Sequence, residues 1–284
     1  MSGKPITIAV ASGKGGTGKT TVAVNLAIAA GEGVCLLDCD VEEPNSHIFI
    51  RPEWEKKETV TVAFPQVDEN LCTACGKCRK ACRFNAIVVM GKKPLFFPEL
   101  CHSCGACLLA CPENAIAETR RKVGELETGR RGELLFAHGR MDIGEAKSPP
   151  LIGAVRQCAD SYPYVIIDAP PGTACPVVAS VRGVDYCVLV AEPTPFGMHD
   201  VEIAAELVKS LGVRHGMVIN RSDIGDDRAR RFCEENGVTI LAEIPFDREA
   251  AEAYSRGELL VERFPRYEKL FRKLWLKILS EATV

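Results

Sequence analysis

Two runs of cysteines and one glycine-rich loop supply most of the side chains in this sequence whose types and spacing could do chemistry. Cys72, Cys75, Cys78 and Cys82 are spaced C-x2-C-x2-C-x3-C, and Cys101, Cys104, Cys107 and Cys111 repeat that spacing. The chain holds 14 cysteines. Thiols packed this closely, in a chain that opens without an export leader, read as metal ligands rather than as disulfide partners. Structural zinc is one reading. Zinc motifs, however, usually set two ligand pairs apart by a longer spacer, whereas four close cysteines followed by a proline, as in Cys111-Pro112, match the ligand run of an iron–sulfur cluster. Arg83 stands where that proline would close the first run, and His102 lies inside the second, where four thiolates leave it no need to ligate. The glycine-rich loop is Gly13-Lys14-Gly15-Gly16-Thr17-Gly18-Lys19-Thr20, a match to G-x4-G-K-[ST]. Its backbone N–H groups, from Gly13 through Thr21 at the helix start, are expected to converge on phosphates. Lys19 should reach the β and γ phosphates, and the Thr20 hydroxyl should hold Mg²⁺.

These groups need a scaffold, and the rest of the chain reads as one. Strand patterns at Ile6–Ser12, Val34–Asp38, Tyr164–Asp168, Tyr186–Ala191, His215–Asn220 and Val238–Ile244 alternate with helical ones, beginning with Lys19–Ala30. Such alternation predicts an α/β fold, a doubly wound and mostly parallel sheet. The pattern breaks after about residue 58 and resumes near 149. The expected division is therefore 1–58 and 119–284 for one α/β domain, with 59–118 inserted and 119–148 as a hairpin returning to the main body. The insert repeats itself: Leu71 through Ile87 recurs at Leu100 through Ile116, each matched residue offset by 29, which implies two copies about a pseudo-twofold axis. At 284 residues, 26% charged and a net charge of −3, the chain gives no electrostatic reason to expect a nucleic-acid or acidic-membrane partner. No apolar stretch approaches the ~20 residues of a membrane span and Met1–Pro5 opens no leader, so the cytoplasm is the expected location.

With these residues in hand, two resemblances can be named. The cysteine runs resemble those of the bacterial two-cluster ferredoxins, in which the fourth cysteine of each run ligates the other cluster. That resemblance implies an α+β domain with two [4Fe–4S] clusters, one held by Cys72, Cys75, Cys78 and Cys111 and the other by Cys82, Cys101, Cys104 and Cys107. The second lysine of the phosphate loop, Lys14, resembles the early lysine of the deviant Walker A ATPases. The chain as a whole is similar to the superfamily of MinD, ParA, Mrp and the nitrogenase iron protein, and the insert narrows the likeness to MinD-like ATPases carrying a ferredoxin domain. The resemblance implies a nucleotide-dependent homodimer in which Lys14 reaches the partner's phosphates. It also implies that Asp40 positions the attacking water with Asp38 closer to the metal or the phosphate loop, that Asp168 faces Mg²⁺, that Gly172 brings an N–H to the γ-phosphate, and that Asn220 and Pro245 meet the base. Asn220-Arg221-Ser222-Asp223 is one substitution from a guanine signature, but Lys14 and the insert favour ATP. Cys175, opening a helix after the Asp168 segment, is a core residue or a redox contact. The C-terminal apolar face from Tyr267 to Leu279 is expected to cover the core rather than meet a membrane.

The function expected from this reading is an ATP-hydrolysing iron–sulfur protein. Its nucleotide-driven dimer would gate electron transfer through the clusters, or docking to a redox or metalloenzyme partner. The alternative is an ATP-dependent cluster assembly or carrier protein, against which stands the lack of a C-x-x-C pair after Cys111.

Overall fold

The computed structural model describes residues 5–91, 93–159 and 162–283; Met1–Lys4, read above for a leader, lie outside the described residues. Its centre is built from continuous apolar runs, as strands covered on both faces must be. These are β1 (Ile6–Ala11), β2 (Val34–Asp38), β8 (Tyr164–Asp168), β9 (Tyr186–Ala191), β10 (His215–Asn220) and β11 (Thr239–Ile244). Around them the chain forms α1 (Lys19–Ala30), α2 (Ser46–Ile50), α5 (Pro149–Arg156), α6 (Cys175–Val181), α7 (Pro195–Ser210), α8 (Arg228–Asn236), α9 (Arg248–Ser255), α10 (Leu260–Arg263) and α11 (Pro265–Ala282). Between α2 and α5 lie β3 (Glu53–Val67), α3 (Lys77–Ala81), β4 (Ile87–Met90), β5 (Lys93–Phe96), α4 (Ala106–Leu109), β6 (Ile116–Arg131) and β7 (Leu134–Met141).

Nine strands form one sheet in the order β11-β10-β9-β1-β8-β2-β7-β6-β3. The seven from β11 to β7 are parallel, and β6 and β3 extend them antiparallel. Successive residues of a central strand face opposite cores. Ala9 and Ala11 join the layer under α5, α6 and α7, while Ile8 and Val10 join the layer under α1 and α11. The apolar face of α11 is thereby used up: Tyr267, Phe271, Leu274, Trp275 and Ile278 are all buried in that second layer.

The insert is carried on a ribbon. β3 and β6 pair without interruption from Glu53↔Arg130 to Val67↔Ile116, apart from register shifts at Trp54/Lys56 and Val60/Thr61. β7 pairs with β6 only from Arg131 to Gly124, so the stretch beyond Gly124 stands out from the sheet as two strands alone. The shift at Val60/Thr61 falls at that point, where a bulge can re-aim the ribbon. The expected domain limits at 58/59 and 118/119 fall inside these two strands.

Beyond the ribbon the 29-residue repeat becomes geometry. Ala74, Gly76 and Asn85 have φ of 53°, 74° and 54°, and Ser103, Gly105 and Asn114 have 52°, 71° and 49°. The N–H of Asp68 donates to Ala115 O, and that of Phe97, 29 residues on, donates to Ala86 O: the two halves exchange the same bond. Hairpin β4–β5 pairs Ile87 with Phe96, and the ribbon tip pairs Ile116 with Val67 in the equivalent register. The module's small core is twofold as well, with Cys78, Cys107, Ile87 and Ile116 buried together.

Candidate functional site

The strand register brings the nucleotide chemistry to one edge. Val10 and Asp38 both lie beside Asp168, so the loop after β1 and the aspartates ending β2 and β8 emerge together. Ligands of doubly wound sheets sit at that carboxyl edge. Lys19 is 7% exposed and its Nζ donates to Asp168 Oδ1 at 2.7 Å. Burial alone would strip the lysine of its proton, but the Asp168 carboxylate outweighs it and raises the lysine pKa. Asp168 is fully buried, and its Oδ2 accepts from Ser46 Oγ at 3.0 Å. Asp38, also fully buried, accepts the N–H of Asp40 on one oxygen and those of Asn45 and Ser46 on the other. Burial, then repulsion from Asp168, pushes its pKa up. Asp40 reaches the cleft itself, with a pKa pushed up to about 6 by burial.

That cleft measures about 390 Å³ and takes in Lys14, Gly15, Gly16, Gly18, Lys19, Thr20, Thr21, Asp40, Asn220 and Pro245. Gly13, Thr17, Asp168 and Gly172 do not line it. Gly13 is pressed against α7: a Cβ there would lie 2.2 Å from the Asp200 carbonyl. Gly18 has φ +91°, and a Cβ would fall 2.4 Å from Asn220 Nδ2, so only glycine fits. Asn220 in turn donates from Nδ2 to Thr17 O at 2.8 Å. The Gly172 N–H, expected to face the γ-phosphate, donates instead to Ser12 O at 3.0 Å. Ser46 is a site residue that the sequence reading missed, because α2 is only five residues long and carries no strong periodicity. Thr20 lines the cleft, while both oxygens of Asp168 are engaged, one by Lys19 and the other by Ser46.

The thiols gather around two cavities in the module. One is lined by Cys72, Cys75, Cys78 and Cys111, the other by Cys82, Cys101, Cys104 and Cys107. Each takes three cysteines from one run and the fourth from the other. Among the described residues no three His, Cys, Asp or Glu side chains form a group that could hold a metal ion; the thiols surround cavities rather than a point. Apolar side chains make up much of the rest, with Val89, Pro94 and Ile116 in the first and Phe64, Ile87 and Phe96 in the second, beside a few polar ones such as Glu113 and His102. A thiol set in an apolar shell fits an iron–sulfur cluster. Of the other cysteines, Cys35 and Cys187 are core residues and Cys175 is exposed at the start of α6.

Nucleotide edge and ribbon meet at a second group the sequence reading did not single out. His47 of α2, next to Ser46, packs edge-on against His138 of β7 at 5.2 Å, and Trp54 of β3 stacks on His138 at 5.0 Å. His138 Nε2 lies 2.8 Å from Glu127 Oε2 of β6. An ionised carboxylate only accepts, so Nε2 carries the proton. Burial holds both histidines below the usual range, against the pull of Glu127 and with Arg140 adding to the depression. The sign of the consequence is fixed: the unfolded chain takes up a proton near pH ~6.5 that buried His138 refuses. Stability present above ~6.5 is lost as pH falls through that value. The stability of the wild-type chain should fall between about pH 7.5 and 5.5, by at most ~1.4 kcal/mol per pH unit for this histidine, and its thermal midpoint should fall with it. In His138→Gln the same scan should be flatter; equal slopes would show that His138 is not held neutral.

Known proteins share this arrangement in sequence and in fold. A model of the CobQ/CobB/MinD/ParA nucleotide binding domain matches residues 8–261. An uncharacterized protein of Methanocaldococcus jannaschii is 30% identical over 277 residues, covering 95% of each chain. The iron–sulfur cluster carrier protein of Pyrococcus abyssi is 26% identical over 268 residues, 88% of this chain and 77% of its own. Among solved structures, the cell division ATPase MinD of Pyrococcus furiosus superposes with a TM-score of 0.59 at 21% identity, covering 96% of this chain and 98% of that one, a likeness of fold. No described helix is long and apolar enough to cross a membrane. By the extent of the domain match and the loop, strand and aspartate geometry that accompanies it, the chain belongs to the CobQ/CobB/MinD/ParA family of P-loop nucleotide-binding proteins.

Proposed function

We propose that this chain is an ATP-hydrolysing iron–sulfur protein of the cluster assembly and carrier class, with two [4Fe–4S] clusters in its inserted ferredoxin-like module. The observation that carries the reading is the sorting of eight thiols into two cavities, three from one run and one from the other, on a ribbon continuous with the nucleotide-binding sheet. Relatives matching most of the chain are named cluster carriers, which moves carriage ahead of the electron-transfer gating favoured from sequence. ATP is the better fit among nucleotides. Asp223, which would have to read guanine, accepts the Phe246 N–H at 2.6 Å and stays out of the cleft, while Arg221 is paired with Glu192 at 2.8 Å.

In this reading Lys19 exchanges its partner Asp168 for the phosphates, and Asp168 is released toward the cation with Thr20. Mg²⁺ supplies charge neutralisation of the phosphates when bound. Asp40, open to the cleft, orients the attacking water, and Lys14 reaches the nucleotide of a second copy. Departure of Asp168 from Lys19 also pulls on Ser46 and so on α2, which packs through His47 on the ribbon base.

Electron transfer remains the second reading, supported by one observation: all eight clustered thiols lie within the module and no C-x-x-C pair follows Cys111. The two separate in one experiment. Anaerobically loaded protein is mixed with an apo acceptor that needs a [4Fe–4S] cluster, with ATP or ADP. Carriage predicts acceptor activation that differs between the nucleotides by ~5–150-fold, the usual span of coupling between sites. An acceptor left inactive while ATP changes the rate of cluster oxidation by a redox dye would reject carriage in favour of electron transfer.

A further inference from the structure

The module is its own control. Because its halves repeat in sequence, backbone and hydrogen bonding, any difference between the two thiol-lined cavities is a departure from a shared plan. The cysteines themselves match: Cys78 and Cys107 are 8% and 9% exposed, Cys75 and Cys104 are open, and the other four are intermediate. Their surroundings do not. At the mouth of the first cavity stand Thr73 and Glu113. The residues 29 positions away, lining the second, are His102 and Phe84, whose rings stack at 3.8 Å with planes 16° apart.

The attachments differ too. The first cavity is walled by hairpin β4–β5, a two-stranded sheet that pairs with nothing else. The second is walled by Ala63, Phe64 and Pro65 of β3, a strand of the main sheet. The main body also reaches across to it. Lys147, two residues before α5, donates from Nζ to Glu99 O at 3.0 Å and to Cys101 O. Arg156 at the end of α5 donates to Ala179 O of α6 at 2.6 Å, and α6 follows the Asp168 segment. The second cavity thus carries a stacked ring pair in its lining and a tether from the ATPase body at Lys147, whereas the first meets the main sheet only through Ile116 of β6.

We propose that the two sites divide the work: the cavity of Cys72, Cys75, Cys78 and Cys111 is the exchanging site, and that of Cys82, Cys101, Cys104 and Cys107 retains its cluster. Phe84, His102 and Lys147 are positioning residues that make the difference. Two stacked rings on one side of the second cluster hinder the approach of chelator or acceptor thiols from that side, and a ligand loop held by a charge-assisted bond opens less often. Glu113, at the position of Phe84, puts a carboxylate beside the first cluster where its twin has a ring. This inference rests on the reading that both cavities hold clusters.

The test follows cluster loss from the loaded full-length chain under excess chelator without oxygen, by visible absorbance and iron released. About eight irons per chain should leave in two phases of about four each. Two half-loaded variants assign them: Cys104→Ala, keeping the first cavity, should lose iron in the fast phase, and Cys75→Ala in the slow one. In the otherwise intact chain, Phe84→Ala and Lys147→Met should each speed the slow phase by roughly tenfold, the size expected for one lost charge-assisted bond or its equivalent in access. The fast phase should not move, and Glu113→Gln should leave the slow phase unchanged. Eight irons lost in one phase, a reversed assignment, or variants that speed both phases alike would overturn the division of labour while leaving two clusters in place. A chain that loads no iron would sink both this inference and the function it rests on.

Discussion

Replacing Cys111 with serine is expected to empty the cavity of Cys72, Cys75 and Cys78 and to leave Cys101, Cys104 and Cys107, its neighbours in sequence, with their cluster. Sequence proximity argues for the opposite result, which is why the substitution is informative. Cys111 lines the first cavity, and the fourth thiol of the second is Cys82, from the other run. The crossing follows from the twofold: α3 and α4 each start at the left-handed glycines Gly76 and Gly105, and each carries its fourth cysteine away from its own loop toward the other half. A serine oxygen is a poorer ligand than thiolate for iron–sulfur chemistry, and the cage loses one of four corners. Iron should fall from about eight to about four per chain. EPR of the reduced protein should lose the spin coupling between two neighbouring clusters and keep one signal. The mirror substitution, Cys82→Ser, should empty the second cavity and spare the first. If Cys111→Ser instead removes the cluster of Cys101, Cys104 and Cys107, each run ligates its own cluster and the cavities have been read wrongly.

What could be read from sequence, and what could not, divides along physical lines. The strands at Val34–Asp38, Tyr164–Asp168 and Tyr186–Ala191 were legible to the residue, because a strand buried on both faces is an unbroken apolar run. The ribbon was not. Glu53-Trp-Glu-Lys-Lys-Glu58 is charged, exposed text with no apolar face, and it becomes a strand only because Leu126 to Arg130 lie opposite. Its cross-strand pairs, such as Lys57 with Glu127 at 3.3 Å, involve residues ~70 positions apart, and no local pattern announces them. The same holds for Lys147 and Phe84. As residue types they are a lysine in a loop and a phenylalanine after a cysteine run. Only folding brings one to the Cys101 carbonyl and the other onto His102. The phosphate loop lies at the other extreme. Its eight consecutive residues carry their own backbone requirements, and the left-handed Gly16 and Gly18 express them directly.

The two lysines of that loop should fail in different ways. Lys19 is 7% exposed and paired with a fully buried Asp168, so Lys19→Ala removes a phosphate ligand and also strands a buried carboxylate. Breaking one side of a buried pair typically costs ~3–5 kcal/mol, moderated here because Ser46 Oγ still donates to Asp168. The variant should therefore melt earlier than wild type and bind ATP weakly, by ~10–150-fold if the phosphate bond is a normal charge-assisted one. Lys14 is a different case. It sits on the wall of the cleft, half-buried, and its backbone carbonyl takes the Ser12 hydroxyl, so its side chain is not needed for the loop's shape. Lys14→Ala should melt like wild type and bind ATP within about fivefold of it, since an ion pair open to solvent is worth at most ~1 kcal/mol. What it should lose is dimerisation in ATP, and with it most hydrolysis. Asp40→Ala separates the last step, binding ATP and dimerising but failing to hydrolyse. Thermal melting, nucleotide titration and sedimentation with ATP or ADP distinguish these outcomes. A Lys14→Ala chain that still dimerises in ATP would remove the reason to place its ammonium on a second copy's phosphates. The lysine would then act within its own cleft, and the ribbon would have to answer to a switch inside one chain.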